Sequence, residues 1–262
     1  MGKQWAANEA RTERTLTPVT EALLKAAVPQ PGEHVLDIGC GCGGSTLAFA
    51  RAVGDSGYVL GADVAAPMIE VATATALKQT TFMLADAASH AFPPAAFDLL
   101  ASRFGVMFFG DPDAAFANLR KALKPTGRVA FACWRPLAEN PWVAVPLAAL
   151  RPLAPPLPRP GPEDPGPFAF GDPARVTRIL TGAGFAPPRF AQFDIHMRFA
   201  GDPATAAVAV SQIGPASRVM RELPEEQRPA ALAALAAAIT PYAADGGVAL
   251  PASGWLVTTT PV

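Results

Sequence analysis

Three aspartates in the first third of the chain each follow a short apolar run. Asp37 closes VLD, Asp63 closes YVLGAD and Asp86 follows FMLA. A carboxylate accepts hydrogen bonds from hydroxyls and amines and attracts cations. If the apolar runs are neighbouring parallel strands, their carboxyl ends meet at one edge of a sheet. The sequence therefore predicts an acidic binding site at that edge.

A glycine-rich stretch, VLDIGCGCGGSTLAFA at residues 35–50, joins the first apolar run to a helical pattern. Gly39, Gly41 and Gly44 match G-x-G-x-x-G, the pattern of dinucleotide-binding loops. Glycine tolerates positive φ and lets a ligand approach the backbone closely. The helix start that follows favours an anionic group such as a pyrophosphate or a carboxylate. The glycines alone fit NAD and other nucleoside cofactors equally.

The aspartates separate these cofactors. Asp63 lies 19 residues after Gly44 and can accept hydrogen bonds from the ribose hydroxyls of NAD or of another nucleoside cofactor. Val64 follows it directly. Asp37 would repel a pyrophosphate but suits an ammonium group. Asp86, followed by Ala87, can accept from the exocyclic amine of adenine. Together the three acids favour a zwitterionic adenosyl amino acid.

The cysteines suggest a metal or redox site less strongly than packing. Cys40 and Cys42 form C-x-C with no histidine nearby, and Cys133 is distant in sequence. Zinc sites usually need four ligands, commonly from C-x₂₋₄-C pairs. We therefore expect small buried packing residues and no metal.

Composition excludes several function classes. The chain has 262 residues, half of them hydrophobic, and a formal net charge of −1. Neither a nucleic-acid footprint nor attraction to an anionic membrane is expected at this charge. Three cysteines do not make a disulfide framework, and no signal peptide or apolar run of about 20 residues is evident, so a cytoplasmic location is predicted.

Helical and strand patterns alternate over the first half, which is typical of parallel βαβ units in a doubly wound sheet. The expected helices cover 16–27, 45–53, 67–77 and 113–123, the last capped by Asp113, and the expected strands cover 34–38, 58–62, 81–84, 97–102 and 128–134.

The second half begins with many prolines, and residues 136–173 are predicted to be an irregular lid. A helix at 174–183, a strand at 189–199, helical chain at 204–244 and a last strand at 254–260 are expected to follow. We predict one domain over 1–262, with a helical cover at 1–30, a cofactor-binding core at 31–135, and substrate lid and final strands at 136–262.

Four segments, in order, resemble the motifs of class I S-adenosylmethionine-dependent methyltransferases of the UbiE-like or type 11 group. They are VLDIGCGCG, LGADVAAPMIEVA, MLADAASHAFPPAAFDLLASRFGVMFF and ALKPTGRVAFACW, within residues 33–134. The resemblance implies a seven-stranded Rossmann-like sheet and S-adenosyl-L-methionine as cofactor. It implies cofactor contacts from Asp37, Gly39, Gly41, Asp63, Val64, Asp86, Ala87 and Ser102, with Trp5 near the methionine end.

The resemblance implies methyl transfer to a small, fairly hydrophobic molecule, with oxygen favoured as the nucleophile over nitrogen or carbon. A nicotinamide-dependent oxidoreductase and a non-catalytic adenosyl-binding protein are retained as alternative functions. The expected partner is a small-molecule substrate, and a homodimer is left open.

The catalytic residues are less evident than the cofactor residues. Arg103 is predicted to pair with a substrate carboxylate, or else to form an internal salt bridge. His196 is predicted to act as a general base, or else to be a histidine satisfied by its neighbours. An apolar substrate pocket is expected from Phe104, Met107, Phe108, Trp134 and Trp142.

Overall fold

The structure, a computed structural model, describes residues 9–154, 161 and 163–262. The chain forms two compact units. The first contains the chain up to Cys133 together with Pro165–Phe193 and Gly254–Val262, and the second contains Trp134–Asp164 and Asp194–Ser253. Trp5 lies outside the described residues, so its placement near the cofactor stays a prediction.

A mixed sheet runs through the chain with the strand order β3-β2-β1-β4-β5-β8-β6, and the short β7 pairs with β8. The five strands from β1 to β5 pair in parallel, which confirms the doubly wound α/β fold. The strands are β1 (His34–Ile38), β2 (Tyr58–Asp63), β3 (Thr80–Leu84), β4 (Phe97–Arg103), β5 (Leu123–Trp134), β6 (Arg189–Ala200), β7 (Ala243–Ala244) and β8 (Gly247–Thr259).

The helices follow the predicted alternation in the first half of the chain. The described residues form α1 (Glu9–Ala27), α2 (Gly44–Val53), α3 (Ala66–Ala74), α4 (Pro112–Ala122), α5 (Pro141–Leu150), α6 (Pro173–Gly182), α7 (Pro203–Val210), α8 (Gly214–Glu222) and α9 (Arg228–Ile239).

Several predicted boundaries were wrong. The cap of α4 is Asp111, whose side chain accepts from the Ala114 N–H at 3.0 Å, because Pro112 opens the helix one residue earlier than predicted. Residues 136–173 are not irregular throughout, since α5 begins at Pro141 and continues through Pro146. The chain at 204–244, predicted to be helical, is divided into the three helices α7, α8 and α9.

Helix α1 is fixed to the first unit by its second half. Val19, Leu23 and Ala27 are fully buried, and the helix packs on α2 and β4. The Arg128 guanidinium donates to the carbonyl of Ala27 at 2.6 Å and pairs with Glu33 at 2.7 Å. The Ala27 carbonyl lies at the helix end, where it has no partner within the helix. Arg128 therefore bonds the end of α1 to β5.

The second unit is organised around a buried amide. Asn140 is fully buried and donates to the carbonyls of Arg135 and Pro136. Its Oδ1 accepts from the Trp142 indole at 3.1 Å and from the Ser253 N–H at 3.0 Å. Every polar atom of this side chain is therefore paired, as a buried amide requires.

Among the described residues, no helix is both long enough and apolar enough to cross a membrane.

Candidate cofactor-binding site

The glycine loop after β1 adopts a conformation that side chains rarely allow. Gly39, Gly41 and Gly43 have φ values of 67°, 58° and 91°. A Cβ at Gly39 would stand 2.6 Å from the Cα of Gly105, so this glycine permits close packing. A Cβ at Gly41 would meet nothing within 4 Å. The loop is therefore packed on one side and leaves room for a ligand at Gly41.

Asp63, at the end of β2, holds this loop in place. Its Oδ2 accepts from the Gly41 N–H at 2.9 Å and its Oδ1 accepts from the Ala65 N–H at 2.8 Å. A carboxylate has about four lone-pair sites, so each oxygen can accept a further hydrogen bond. Asp63 can thus position the loop and still accept from ribose hydroxyls.

Asp37 is buried beneath the loop with one oxygen unsatisfied. Its Oδ2 accepts from the hydroxyls of Ser45 and Thr46, both at 2.7 Å. Its Oδ1 is buried and has no hydrogen-bond partner among the described residues. Burial raises the pKa of Asp37 to about 6, against the opposing effects of the two hydroxyls and the Arg103 charge. A cationic ligand group would satisfy this carboxylate, so the unpaired acceptor oxygen fits the predicted ammonium.

The carboxyl ends of β2 and β3 present exposed apolar side chains. Val64 is 70% exposed and Leu84 is 56% exposed. Asp86, also exposed, accepts from the Ala88 N–H at 2.9 Å, and Ala87 is buried. Apolar surface beside a polar acceptor is the surrounding that an adenine ring needs.

Ser102 has a structural task that the sequence did not indicate. The side chain is fully buried, donates to the Ile38 carbonyl at 2.7 Å and accepts from the Gly105 N–H at 3.0 Å. These bonds join the end of β4 to the end of β1. The predicted cofactor contact of Ser102 stays a prediction, and its hydroxyl is already engaged.

The two predicted catalytic residues belong to different units. Arg103 is in the first unit and forms a bidentate pair with Glu13, with Nη2 to Oε2 at 2.7 Å. His196 is in the second unit, on an exposed face of β6 that also carries Asp194 and Arg198. Arg103 thus has the internal salt bridge that the sequence left as its alternative role.

The predicted pocket residues are also divided between the units. Met107 is buried, and Phe108 is 55% exposed. Trp134 and Trp142 are buried in the second unit, where their ring centroids lie 5.2 Å apart. Phe104 is half-buried, with an unusual φ of 74°. A shared role in binding a substrate stays a prediction for these five side chains.

Sequence reasoning missed four residues around the site. Ser45 and Thr46 had a readable signal, because they open the helix that follows the glycines. Glu13 and Thr20 had none, since they reach Arg103 across 90 and 83 residues of sequence.

The cysteines differ in their surroundings. Cys40 and Cys133 are buried, and burial raises the pKa of both thiols. Cys42 is half-buried. The packing role expected of Cys40 accords with its place beside Gly61, where a Cβ would stand 3.0 Å from the sulfur.

The fold and the site define a doubly wound α/β protein with a nucleoside-cofactor site at the carboxyl edge of its sheet. A family model described as a methyltransferase domain matches residues 35–127. Nocamycin O-methyltransferase of Saccharothrix syringae is 32% identical in an alignment of 245 positions that covers 88% of this chain and 86% of that protein. The chain therefore belongs to the S-adenosylmethionine-dependent methyltransferases, and S-adenosyl-L-methionine is its cofactor.

Other relatives match over a shorter part. Aklanonic acid methyltransferase DauC of Streptomyces is 39% identical over 44% of this chain and 54% of that protein. The UbiE C-methyltransferase of Burkholderia vietnamiensis is 37% identical over 42% of this chain and 48% of that protein. Among solved structures, the YcgJ protein of Bacillus subtilis has a TM-score of 0.61 at 16% identity, covering 92% of this chain and 97% of its own. That likeness concerns the fold alone.

We predict that Asp37 makes cofactor binding depend on pH. The folded-state pKa of about 6 lies above the usual 3.8, so the stability that protonated Asp37 contributes is complete below 3.8 and is lost as the pH rises to about 6. A cationic ligand prefers the ionised form. We therefore expect S-adenosylmethionine to bind roughly tenfold more weakly at pH 5 than at pH 7.5, measured by calorimetry.

The matched variant Asp37→Asn keeps an oxygen for Ser45 and Thr46 but cannot ionise. Its affinity should be lower than wild type at pH 7.5 and should not change between the two pH values. A wild-type affinity that is the same at both would contradict the role of Asp37.

Asp63→Ala should reduce both stability and cofactor affinity, because the N–H groups of Gly41 and Ala65 lose the carboxylate that accepts from them. We expect the free energy of unfolding to fall by about 2 kcal/mol in urea titration. Asp86→Ala is the control, since Asp86 is exposed and its side chain accepts from the Ala88 N–H, outside the glycine loop. It should lose cofactor affinity with little loss of stability. Equal stability losses in both variants would refute the loop-holding role of Asp63.

Proposed function

We propose that this chain transfers the methyl group of S-adenosylmethionine to an oxygen atom of a small, fairly hydrophobic molecule. The observation that carries this proposal is the likeness to nocamycin O-methyltransferase, which extends over 86% of that protein. The likeness to the UbiE C-methyltransferases covers 48% of the first such relative. Oxygen is therefore favoured over carbon, and nitrogen is tested in the methyl-transfer assay.

The family assignment also decides between reaction classes. Hydride transfer by a nicotinamide cofactor would explain the glycines and Asp63, but it would leave the buried carboxylate of Asp37 facing a pyrophosphate. A non-catalytic adenosyl-binding protein would not share the enzymatic activity for which nocamycin O-methyltransferase is named. Methyl transfer accounts for both the acid and the relative.

The residues of the site bind and orient rather than react. The cofactor, when bound, supplies a methyl group already activated by its sulfonium charge. Gly41 and Asp63 would hold the ribose side of the site, and Asp37 would hold the ammonium. The catalytic benefit of this arrangement is alignment of the methyl group with its acceptor.

Proton removal from the acceptor is the one step that could require a base. His196 remains our proposed base, supported by the exposed, polar face of β6 on which it lies. The apolar side chains of Phe104, Met107 and Phe108 support a hydrophobic acceptor.

The remaining proposals concern the setting of the enzyme. We retain one functional domain over the whole chain, because the curated full-length relative spans both halves. A cytoplasmic location is supported by three free cysteines. No nucleic-acid partner is proposed, and a homodimer is left to measurement.

A methyl-transfer assay tests the nucleophile. The protein is incubated with ¹³C-methyl S-adenosylmethionine and matched panels of phenols, aromatic acids, aryl amines and enolisable diketones. We expect labelled product from the hydroxyl or carboxyl compounds, with the ¹³C signal in the methoxy region. Label on the amines, or on carbon, would replace O-methylation by the corresponding alternative, and calorimetric binding of NADH would refute the cofactor assignment.

His196→Gln tests the proposed base in the same assay. Turnover with a weakly acidic phenol should fall at least tenfold, and turnover with a carboxylic acid should change little because that acceptor is already ionised. Arg198→Gln, on the same exposed face, is the control and should retain turnover. Wild-type turnover of the phenol by His196→Gln would refute the proposal.

A further inference from the structure

A partly buried ion pair joins helix α1 to the end of β4. The Arg103 Nη1 and Nη2 atoms lie 2.8 and 2.7 Å from the two carboxylate oxygens of Glu13. Nη1 also donates to the Thr20 hydroxyl at 2.7 Å. The Arg103 side chain is only 10% exposed and that of Glu13 is 31% exposed. Thr20 orients the guanidinium, and Arg103 therefore forms a site that holds a carboxylate in the bidentate geometry which guanidinium groups favour.

The carboxylate held there lies against the glycine loop. The carboxyl group of Glu13 packs so closely on Gly44 that a Cβ at this position would overlap it. Gly44 is the first residue of α2 and directly precedes Ser45, which donates to Asp37. The carboxylate site and the unsatisfied Asp37 oxygen thus belong to one neighbourhood of the first unit.

Charge links the two groups as well. The positive charge of Arg103 acts on Asp37 and lowers its pKa, although burial outweighs that effect. An α-amino acid carries an ammonium and a carboxylate on the same carbon atom. A ligand whose ammonium pairs with Asp37 must therefore place its carboxylate close by, where Arg103 offers the complementary charge.

We infer that Arg103, oriented by Thr20, binds the carboxylate at the methionine end of the cofactor, and that Glu13 occupies this site as an internal competitor in the ligand-free chain. This inference rests on the proposed cofactor site. It assigns Arg103 to the cofactor rather than to an acceptor carboxylate, and it gives Glu13 a role in setting cofactor affinity.

Helix α1 is built so that Glu13 can leave. Pro18 lies inside the helix and lacks the N–H that would bond to the carbonyl four residues earlier. After Pro18, the buried Val19, Leu23 and Ala27 keep the second half of the helix in place. We expect the first half, which carries Glu13, to swing at Pro18 while the second half stays packed, with Leu16, only 7% exposed, as the buried side chain that must shift.

Removing the competitor should strengthen cofactor binding. Glu13→Gln keeps the shape of the side chain and removes its charge, so the carboxylate site is open in a larger fraction of molecules. We expect calorimetry to show roughly fivefold tighter binding of S-adenosylmethionine, the effect of one partly exposed ion pair. Binding of 5′-methylthioadenosine, which lacks the amino-acid end, should not change. Glu21→Gln, exposed on the same helix, is the matched control and should behave as wild type.

The second variant identifies the ligand carboxylate. Arg103→Gln should weaken S-adenosylmethionine binding, leave 5′-methylthioadenosine binding intact and abolish the effect of Glu13→Gln in the double variant. Melting curves of all variants establish that they are folded.

Three results would overturn the inference. The first is that Glu13→Gln binds S-adenosylmethionine as weakly as wild type or more weakly. The second is that Glu13→Gln changes the affinities for S-adenosylmethionine and 5′-methylthioadenosine equally. The third is that Arg103→Gln loses only the binding of aromatic acids. A wild-type protein that binds neither adenosyl compound would instead refute the cofactor site itself.

Discussion

The hydrogen bond from the Gly41 N–H to the Asp63 carboxylate is the contact on which the site depends. It joins the loop after β1 to the end of β2 at 2.9 Å. Three glycines in this loop have positive φ, a conformation whose entropic cost must be offset by specific bonds. Ser102 adds a second tie, from β4 to the carbonyl of Ile38. The loop is thereby shaped before any ligand arrives, which limits the ordering cost of binding.

Burial of the Asp37 carboxylate destabilises the ligand-free protein. A carboxylate with one unpaired oxygen in the interior carries a desolvation penalty that two hydroxyl donors only partly offset. The penalty is understandable at a site for a cation, because the ligand then supplies the missing partner. The chain thus accepts a less stable free state, and binding of a positively charged ligand removes the penalty.

The sequence predicted the parallel half of the sheet because short apolar runs alternate there with helical patterns. It also predicted the acids at the strand ends, since their type and position follow from the strands. It failed at α5, where proline suggested irregular chain although Pro141 occupies a helix start that tolerates it. It failed for Glu13 because no local pattern reports a contact between residues 90 positions apart. Roles of individual site residues stay predictions.

Phe104, one of the predicted pocket residues, has a strained backbone conformation. Its φ of 74° is uncommon for a bulky residue, and its N–H donates to the Ala132 carbonyl at 3.0 Å. The backbone there would be satisfied equally well by glycine or asparagine, which adopt this conformation at lower cost. The aromatic ring is therefore held at an expense of about 1–3 kcal/mol to the fold. At this turn the side chain that is present and the backbone conformation that carries it therefore have opposing requirements.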